Sequence, residues 1–149
     1  MHGHWVRVKG GSAMDDAGTS IGALKGLVLA FSKERDWEQF HHPKDLGVAL
    51  ASEVGELLDH FRYKSNERIR ADLERPEVRE AVSHELADCL WVVLRLADVC
   101  GVDLSSALEE KVRLAALKYP IDRSFGRADK YTAYRDGAPP APAEGGPTG

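Results

Sequence analysis

The chain has 149 residues, of which 43% are hydrophobic, and its formal net charge is -4. This length suits one globular domain, and the charge provides no basic face, which argues against a protein that binds duplex DNA or RNA. No run approaches the roughly 18 consecutive apolar residues of a transmembrane helix, and the N-terminus lacks an apolar signal core, so we expect a cytoplasmic protein without a membrane partner.

The first part of the chain predicts a leader followed by a helix. Residues 1–19 are Gly-rich and without periodicity, and we interpret them as a flexible leader to a domain over residues 20–134. Ser20 can cap a first helix whose apolar residues recur at helical spacing to about Arg35. Residues 135–149 are rich in Pro, Gly and Ala and are predicted to be a disordered tail.

A second helix is expected after a polar connector that contains Trp37. Pro43 suits the first position of this helix, because its missing N–H needs no partner there. The apolar pattern continues to about Tyr63. Residues 64–75 are charged and weakly periodic, which predicts a loop with at most a short helical turn.

The third and fourth helices have clear start and stop signals. Pro76 can open the third helix, and Gly101 can end it in a left-handed conformation. Asp103 can cap the fourth helix, which ends at Tyr119 before a proline. From Ile121 the chain is expected to be irregular. The sequence therefore predicts an all-α fold with four helices.

Two acidic pairs carry the predicted chemistry: Glu53 with Glu56, and Glu85 with Asp88. Within each pair the residues are three apart, so both side chains share one face of a helix, and Glu85 lies within an apolar stripe. Packing the second helix on the third would bring four carboxylates together, and their repulsion must be neutralised by cations. A ligand set of oxygens favours Mg²⁺, with Mn²⁺ as a possible substitute.

Other interpretations of the acidic pairs remain open. A di-iron bundle would place His at the fourth position of the motif, and neither pair does. A single Glu-x-x-Glu is often a solvated helix face. A non-catalytic helical module could bind cations for structure alone, and a broad-specificity hydrolase would use the metal and ignore the base.

At these residues the sequence resembles the MazG-like all-α nucleoside triphosphate pyrophosphohydrolases, and within them the dCTP pyrophosphatase branch. The similarity covers about residues 24–134. It rests on the order of four motifs: Phe-Ser-Lys-Glu-Arg-Asp-Trp-Glu-Gln-Phe-His from Phe31, Glu53-Val-Gly-Glu56, Glu85-Leu-Ala-Asp88, and Lys111 to Pro120. The resemblance implies a four-helix bundle that assembles as a homotetramer, a dimer of dimers. It also implies Mg²⁺-dependent hydrolysis of dCTP, or of a C5-modified dCTP, to dCMP and diphosphate.

The resemblance also implies roles for individual residues. Glu53, Glu56, Glu85 and Asp88 would be metal ligands, one glutamate also orienting the attacking water. Basic and aromatic side chains would bind the nucleotide: Trp37, Tyr63, Lys111, Lys118, Lys130 and Tyr131. Lys111 would also be catalytic, and Lys130 and Tyr131 would close over the site of a neighbouring subunit.

Three positions depart from the family pattern. Tyr63 stands where Trp is more usual, Ala115 where the last helix often has Asn, and Val28 where the first often has His. Because Val28 replaces this His, no residue is assigned to the cytosine edge, and we expect some preference for dCTP with residual activity on other pyrimidines. The third helix is apolar nearly all round after Asp88, which separately predicts that subunits pack there.

Overall fold

All regular structure in the described part of the chain is helical. The computed structural model describes residues 14–128, and over this range the predicted all-helical fold is confirmed. None of its helices is both long and apolar enough to cross a membrane. The elements are α1 (Ile21–Lys33), a short 3-10 helix (Glu38–Phe40), α2 (Pro43–Asp59), α3 (Asn66–Leu73), α4 (Pro76–Val99), α5 (Leu104–Lys118) and α6 (Ile121–Ser124).

The helix ends follow local chemistry that the sequence already indicates. The Ser20 side chain accepts a hydrogen bond from the backbone N–H of Ala23 at 3.1 Å and so caps α1. Pro43 and Pro76 are the first residues of α2 and α4. Gly101, just beyond α4, has a φ of 66°, a left-handed conformation that glycine adopts without strain.

The longest helix, α4, is the centre of the packing. It lies against α2, α1 and α3, and its contact with α2 is the most extensive. Burial of a large apolar side chain contributes about 1.5–3 kcal/mol, so the buried apolar side chains provide most of the cohesion between these helices. The buried apolar side chains are Val28, Leu46, Val82, Val92, Leu94 and Ala97.

The loop predicted over residues 64–75 is wrong, because this segment contains the eight-residue helix α3. Its apolar periodicity is weak, but two polar interactions compensate. The Ser65 side chain caps the helix by accepting from the N–H of Arg68, and the buried carboxylate of Asp72 attracts three cations. The nitrogens of Lys64, Arg68 and Arg75 lie 3.0, 3.0 and 3.3 Å from Asp72.

Two other predicted boundaries also need correction. The helix α2 ends at Asp59 and not near Tyr63, because the N–H groups of His60 and Phe61 bond to carbonyls three residues back, which tightens the chain into a turn. Tyr63 itself has a φ of 61°, which no helix can include. The segment after Pro120 was expected to be irregular and instead forms the four-residue helix α6.

The chain divides into two compact units, Met1–Leu104 and Ser105–Gly149. In the first, α4 is packed by α1, α2 and α3; the second contains α6 and all but the first residue of α5. The domain limits over residues 20–134 remain a prediction. Of the predicted leader, only residues 14–19 are described, and within them the N–H of Thr19 bonds to the carbonyl of Asp15. The predicted tail lies outside the described residues.

Candidate metal and nucleotide site

Three carboxylates from two helices meet where α2 packs on α4. Glu53 and Glu56 lie one turn apart on α2, and Glu85 lies on α4. One oxygen from each of the three lies within 4.8 Å of the others. Glu53 and Glu85 are half-buried and Glu56 is exposed, so the cluster opens to solvent on one side.

Asp88, the fourth predicted ligand, lies one turn beyond Glu85 and is exposed. It is not part of the group of three oxygens, but its charge acts on the same place. The pKa of Glu53 is raised above its usual value first by burial and then by the negative charges of Glu56, Asp88 and Glu85. All four predicted carboxylates therefore influence one volume, and three of them line it directly.

No side chain in residues 14–104, the described part of the first compact unit, neutralises this cluster. Within that range no lysine or arginine nitrogen lies at salt-bridge distance from Glu53, Glu56, Glu85 or Asp88. Converging carboxylate oxygens without a protein counter-charge are the donor set that hard divalent cations prefer. The residues present thus fit a bound divalent cation.

The environment of Glu85 differs in one respect from its predicted place in the middle of a buried stripe. Val82 and Val92 of that stripe are buried, but Cys89, between them, is only half-buried. Glu85 is half-buried as well, at the part of α4 where α2 packs. Its carboxylate is therefore accessible to a ligand and is not enclosed in the core.

Trp37 belongs to a short aromatic turn, residues 37–41, between α1 and α2. Its backbone N–H donates to the carbonyl of the buried Ser32 at 3.0 Å. Its ring meets Phe31 edge-on at 5.8 Å between centroids and His41 at 6.5 Å. Because the indole is still 43% exposed, one part of the ring is free to stack on a base.

The aromatic turn is tied to α4 by a buried arginine that the sequence analysis missed. Arg95 is only 4% exposed, and its Nε–H donates to Nδ1 of His41 at 2.9 Å. Its two terminal nitrogens pair with Asp98 and, at 3.5 Å, with Glu38. The ring of His41 also lies edge-on to Trp91 at 5.6 Å.

The second predicted stacking residue, Tyr63, is 97% exposed. It follows the turn after α2, and the guanidinium of Arg62 lies 5.6 Å from its ring centroid. Among residues 14–128 no ring contact joins Tyr63 to Trp37. The structure therefore does not bring the two predicted stacking residues together.

An open groove of about 710 Å³ runs beside Glu56 along the outer side of α2. Its lining includes the small residues Ala51, Ser52 and Gly55, together with Phe61 and Arg62. Its size lies within the usual range for ligand sites, about 300–1,000 Å³. Glu56 thus belongs both to the carboxylate cluster and to the lining of this groove.

The predicted phosphate ligands Lys111 and Lys118 lie two turns apart on α5, and both are exposed. Ala115, one turn before Lys118, is half-buried. These residues belong to the second compact unit, so their part in the site remains a prediction. Lys130 and Tyr131 lie outside the described residues.

Comparison with known proteins identifies the family. Residues 48–133 match the model of the MazG-like family, which is more than half of the chain. The chain belongs to the MazG-like family. This MazG-like chain is 41% identical to dCTP pyrophosphatase 1 of Rattus norvegicus over 109 residues and 37% identical to that of Homo sapiens over 115 residues. The resemblance inferred from the motifs is confirmed.

The match leaves part of the relatives uncovered. The aligned region is 73% of this chain but 64% of the rat protein, and 77% of this chain but 68% of the human protein. A pyrophosphatase from Archaeoglobus fulgidus is covered over 99% of its length, with a TM-score of 0.64 and 30% identity across 72% of this chain. The helical fold of this chain is thus shared with a solved pyrophosphatase.

Proposed function

We propose that the protein is a Mg²⁺-dependent nucleoside triphosphate pyrophosphohydrolase whose preferred substrate is dCTP, plain or modified at C5. The proposal rests on one observation above all: three carboxylates of α2 and α4 converge within 4.8 Å in a chain that is 41% identical to a dCTP pyrophosphatase. The reaction adds water and breaks the bond between the α-phosphorus and the oxygen that bridges it to the β-phosphorus. The products are dCMP and diphosphate.

Glu53, Glu56, Glu85 and Asp88 would hold the divalent cation, which when bound draws negative charge from the phosphates and lowers the pKa of coordinated water. The protein's own residues supply the geometry. The rigid helices α2 and α4 fix three of the carboxylates, and a glutamate that accepts a hydrogen bond from the attacking water can orient it. Lys111 and Lys118 are assigned to the phosphate oxygens.

Trp37 is assigned to the nucleobase. Stacking on an aromatic side chain contributes about 1–3 kcal/mol per base and does not depend strongly on which base is bound. Discrimination for cytosine needs hydrogen bonds to its edge. Val28, which stands where the resemblance implies His, is 6% exposed and packs in the core, so α1 supplies no such bond at this position.

A homotetramer is proposed as the functional assembly. Several large apolar side chains are exposed in the single chain, and packing against other subunits would cover them. Val48 and Leu58 lie on α2 and Leu86 on α4, and Leu108 and Leu117 lie on α5. A cytoplasmic location without a membrane or nucleic-acid partner stays part of this proposal.

One experiment tests the reaction and the substrate together. The protein is incubated with dCTP, 5-methyl-dCTP, dTTP, dUTP, dATP, dGTP and CTP, with Mg²⁺, with Mn²⁺ or with excess EDTA, and the products are separated by anion-exchange chromatography. We expect monophosphate and diphosphate, the highest kcat/KM for a deoxycytidine triphosphate, and no turnover in EDTA.

Each other outcome selects a different conclusion. Similar rates for all nucleotides would favour a broad-specificity hydrolase, and a purine preference would exclude the dCTP branch. Release of orthophosphate and a nucleoside diphosphate would refute the reaction. Metal-dependent stabilisation without any turnover would leave a non-catalytic cation-binding module.

A further inference from the structure

The aromatic turn, residues 37–41, lacks a core of its own. Its only regular element is a three-residue 3-10 helix with no buried side chain. Asp36, just before it, has a φ of 53°, and the side chain of Gln39 holds this strained corner by donating to the Asp36 carbonyl and carboxylate at 2.9 and 2.7 Å. The position of the turn therefore depends on what anchors it from outside.

One anchor is Arg95 of α4, which acts beside the contacts that Trp37 makes with α1. Asp98, one turn along the same helix, already pairs with the Arg95 charge and would neutralise it unaided. The bond to Nδ1 of His41 and the ion pair with Glu38 are additional, and both reach a segment more than 50 residues away in the sequence. The planar guanidinium can make these directed contacts at once, which a lysine ammonium cannot do with the same geometry.

The contact also fixes the state of the histidine. Because Nδ1 of His41 accepts from Arg95, the neutral ring carries its proton on Nε2. The pKa of His41 is lowered by burial and by the positive charge of Arg95, against the opposing charge of Glu38. A neutral ring with one orientation packs between Trp91 on α4 and Trp37 in the turn.

We propose that Arg95 is a positioning residue that sets Trp37 in place for the nucleobase by clamping His41 and Glu38 to α4. The inference rests on the proposed function. Asp88 and Arg95 are seven residues apart on one helix, so they lie on nearly the same side and about 10 Å apart along its axis. The same rigid helix thus fixes the carboxylate end and the aromatic end of the nucleotide site.

Arg95→Met is the decisive variant, because methionine fills a similar volume, and Asp98 and Glu38 are partly exposed and can be hydrated once the arginine is gone. We expect a folded protein, a KM for dCTP raised about tenfold, and a kcat within about twofold of the wild type. Trp37→Ala, which removes the ring itself, is the positive control. Arg79→Met is the matched control, since Arg79 is an exposed arginine of α4 whose side chain donates to the carbonyls of Leu73 and Glu74.

Tripolyphosphate separates positioning from a general structural role. It carries the phosphates without a base, so its inhibition constant in the presence of Mg²⁺ should be the same in Arg95→Met and the wild type. An increase in both constants would mean that the substitution disturbs the whole site, and an unchanged KM for dCTP in a folded variant would equally overturn the proposal. If Arg95→Met does not fold, Arg95→Lys is the alternative test, because lysine can keep the ion pair with Asp98 and cannot reproduce the bond to His41. An unchanged KM for dCTP in Arg95→Lys would refute the proposal. A wild-type protein without turnover would instead refute the proposed function.

Discussion

Replacing Glu53 by Gln should make the metal-free protein more stable while destroying its activity. Burial raises the pKa of Glu53, and the negative charges of the neighbouring carboxylates raise it further. Glutamine keeps the shape of the side chain and removes its charge. The variant therefore distinguishes two roles of the Glu53 carboxylate, stabilising the fold and binding a ligand.

The expected gain follows from the distances. Two like charges 4.8 Å apart repel by about 0.9 kcal/mol in the dielectric of water. Glu53 has two such neighbours, Glu56 and Glu85, and relaxation of exposed side chains and salt screening reduce the total to about 1 kcal/mol. For a chain of this size we therefore expect the melting temperature in EDTA to rise by about 2–4 °C.

The pH dependence provides a second check. The native pKa of Glu53 lies above the unfolded value of 4.5, so between the two the native state binds a proton that the unfolded state has lost. Metal-free stability therefore decreases as the pH rises through this window. The higher stability of Glu53→Gln should be present at pH 7. It should be absent well below pH 4.5, where Glu53 of the wild type is neutral in both the native and the unfolded state.

The assay is thermal unfolding followed by circular dichroism, in EDTA and in Mg²⁺, together with diphosphate release from dCTP. A ligand at a hundred times its Kd stabilises a protein by about 2.7 kcal/mol, so Mg²⁺ should raise the melting temperature of the wild type more than that of the variant. Loss of a metal ligand should lower kcat/KM at least about a hundredfold. Glu80→Gln, an exposed neutral substitution on another side of α4, is the control. Lower stability of Glu53→Gln in EDTA, or equal stabilisation of both proteins by Mg²⁺, would refute the assignment.

Three further predictions concern other parts of the chain. Tyr63→Gly should raise stability, because Tyr63 is 97% exposed with a φ of 61°, and should raise the KM for dCTP if the ring stacks on the base; an unchanged KM would remove Tyr63 from the site. Asp72→Asn should lower the melting temperature at pH 7, because three cations hold the pKa of Asp72 below 3.8 in the native state. The stabilisation by the Asp72 charge is present above pH 3.8 and is lost as the pH falls through the lower native pKa. The difference in melting temperature between the variant and the wild type should therefore be smaller at pH 2. Light scattering at micromolar concentration should give a mass above that of a monomer, and a monomeric mass would contradict the proposed assembly.

The ends of the helices could be predicted because local chemistry decides them. Pro43 and Pro76 suit the first turn of a helix whatever the rest of the fold does, and Gly101 suits the left-handed residue after one. The helix α3 was missed for the complementary reason. Its stability comes from a capping serine and from charges around Asp72, which leave little trace in an apolar pattern.

The acidic cluster was predictable in part. Spacing three residues apart guarantees that Glu53 and Glu56 share a face, and the apolar stripe on each helix indicates which faces meet. Spacing does not fix the rotation and shift of two helices to within an ångström. Three oxygens therefore converge as expected, while Asp88, a turn further along α4, contributes its charge without joining the group.

Arg95 illustrates what a sequence pattern does not contain. It is a single charge within an apolar run, and nothing near it in the sequence indicates that its partner is His41, 54 residues earlier. If Arg95 faced the solvent, it would make no contact with residues 37–41, and α4 would serve only for packing. A buried arginine with two partners in another segment makes the same helix the link between the aromatic turn and the carboxylates. In the proposed site, α4 passes both the α2 glutamates and the turn that precedes α2, so one rigid helix would position both ends of the substrate.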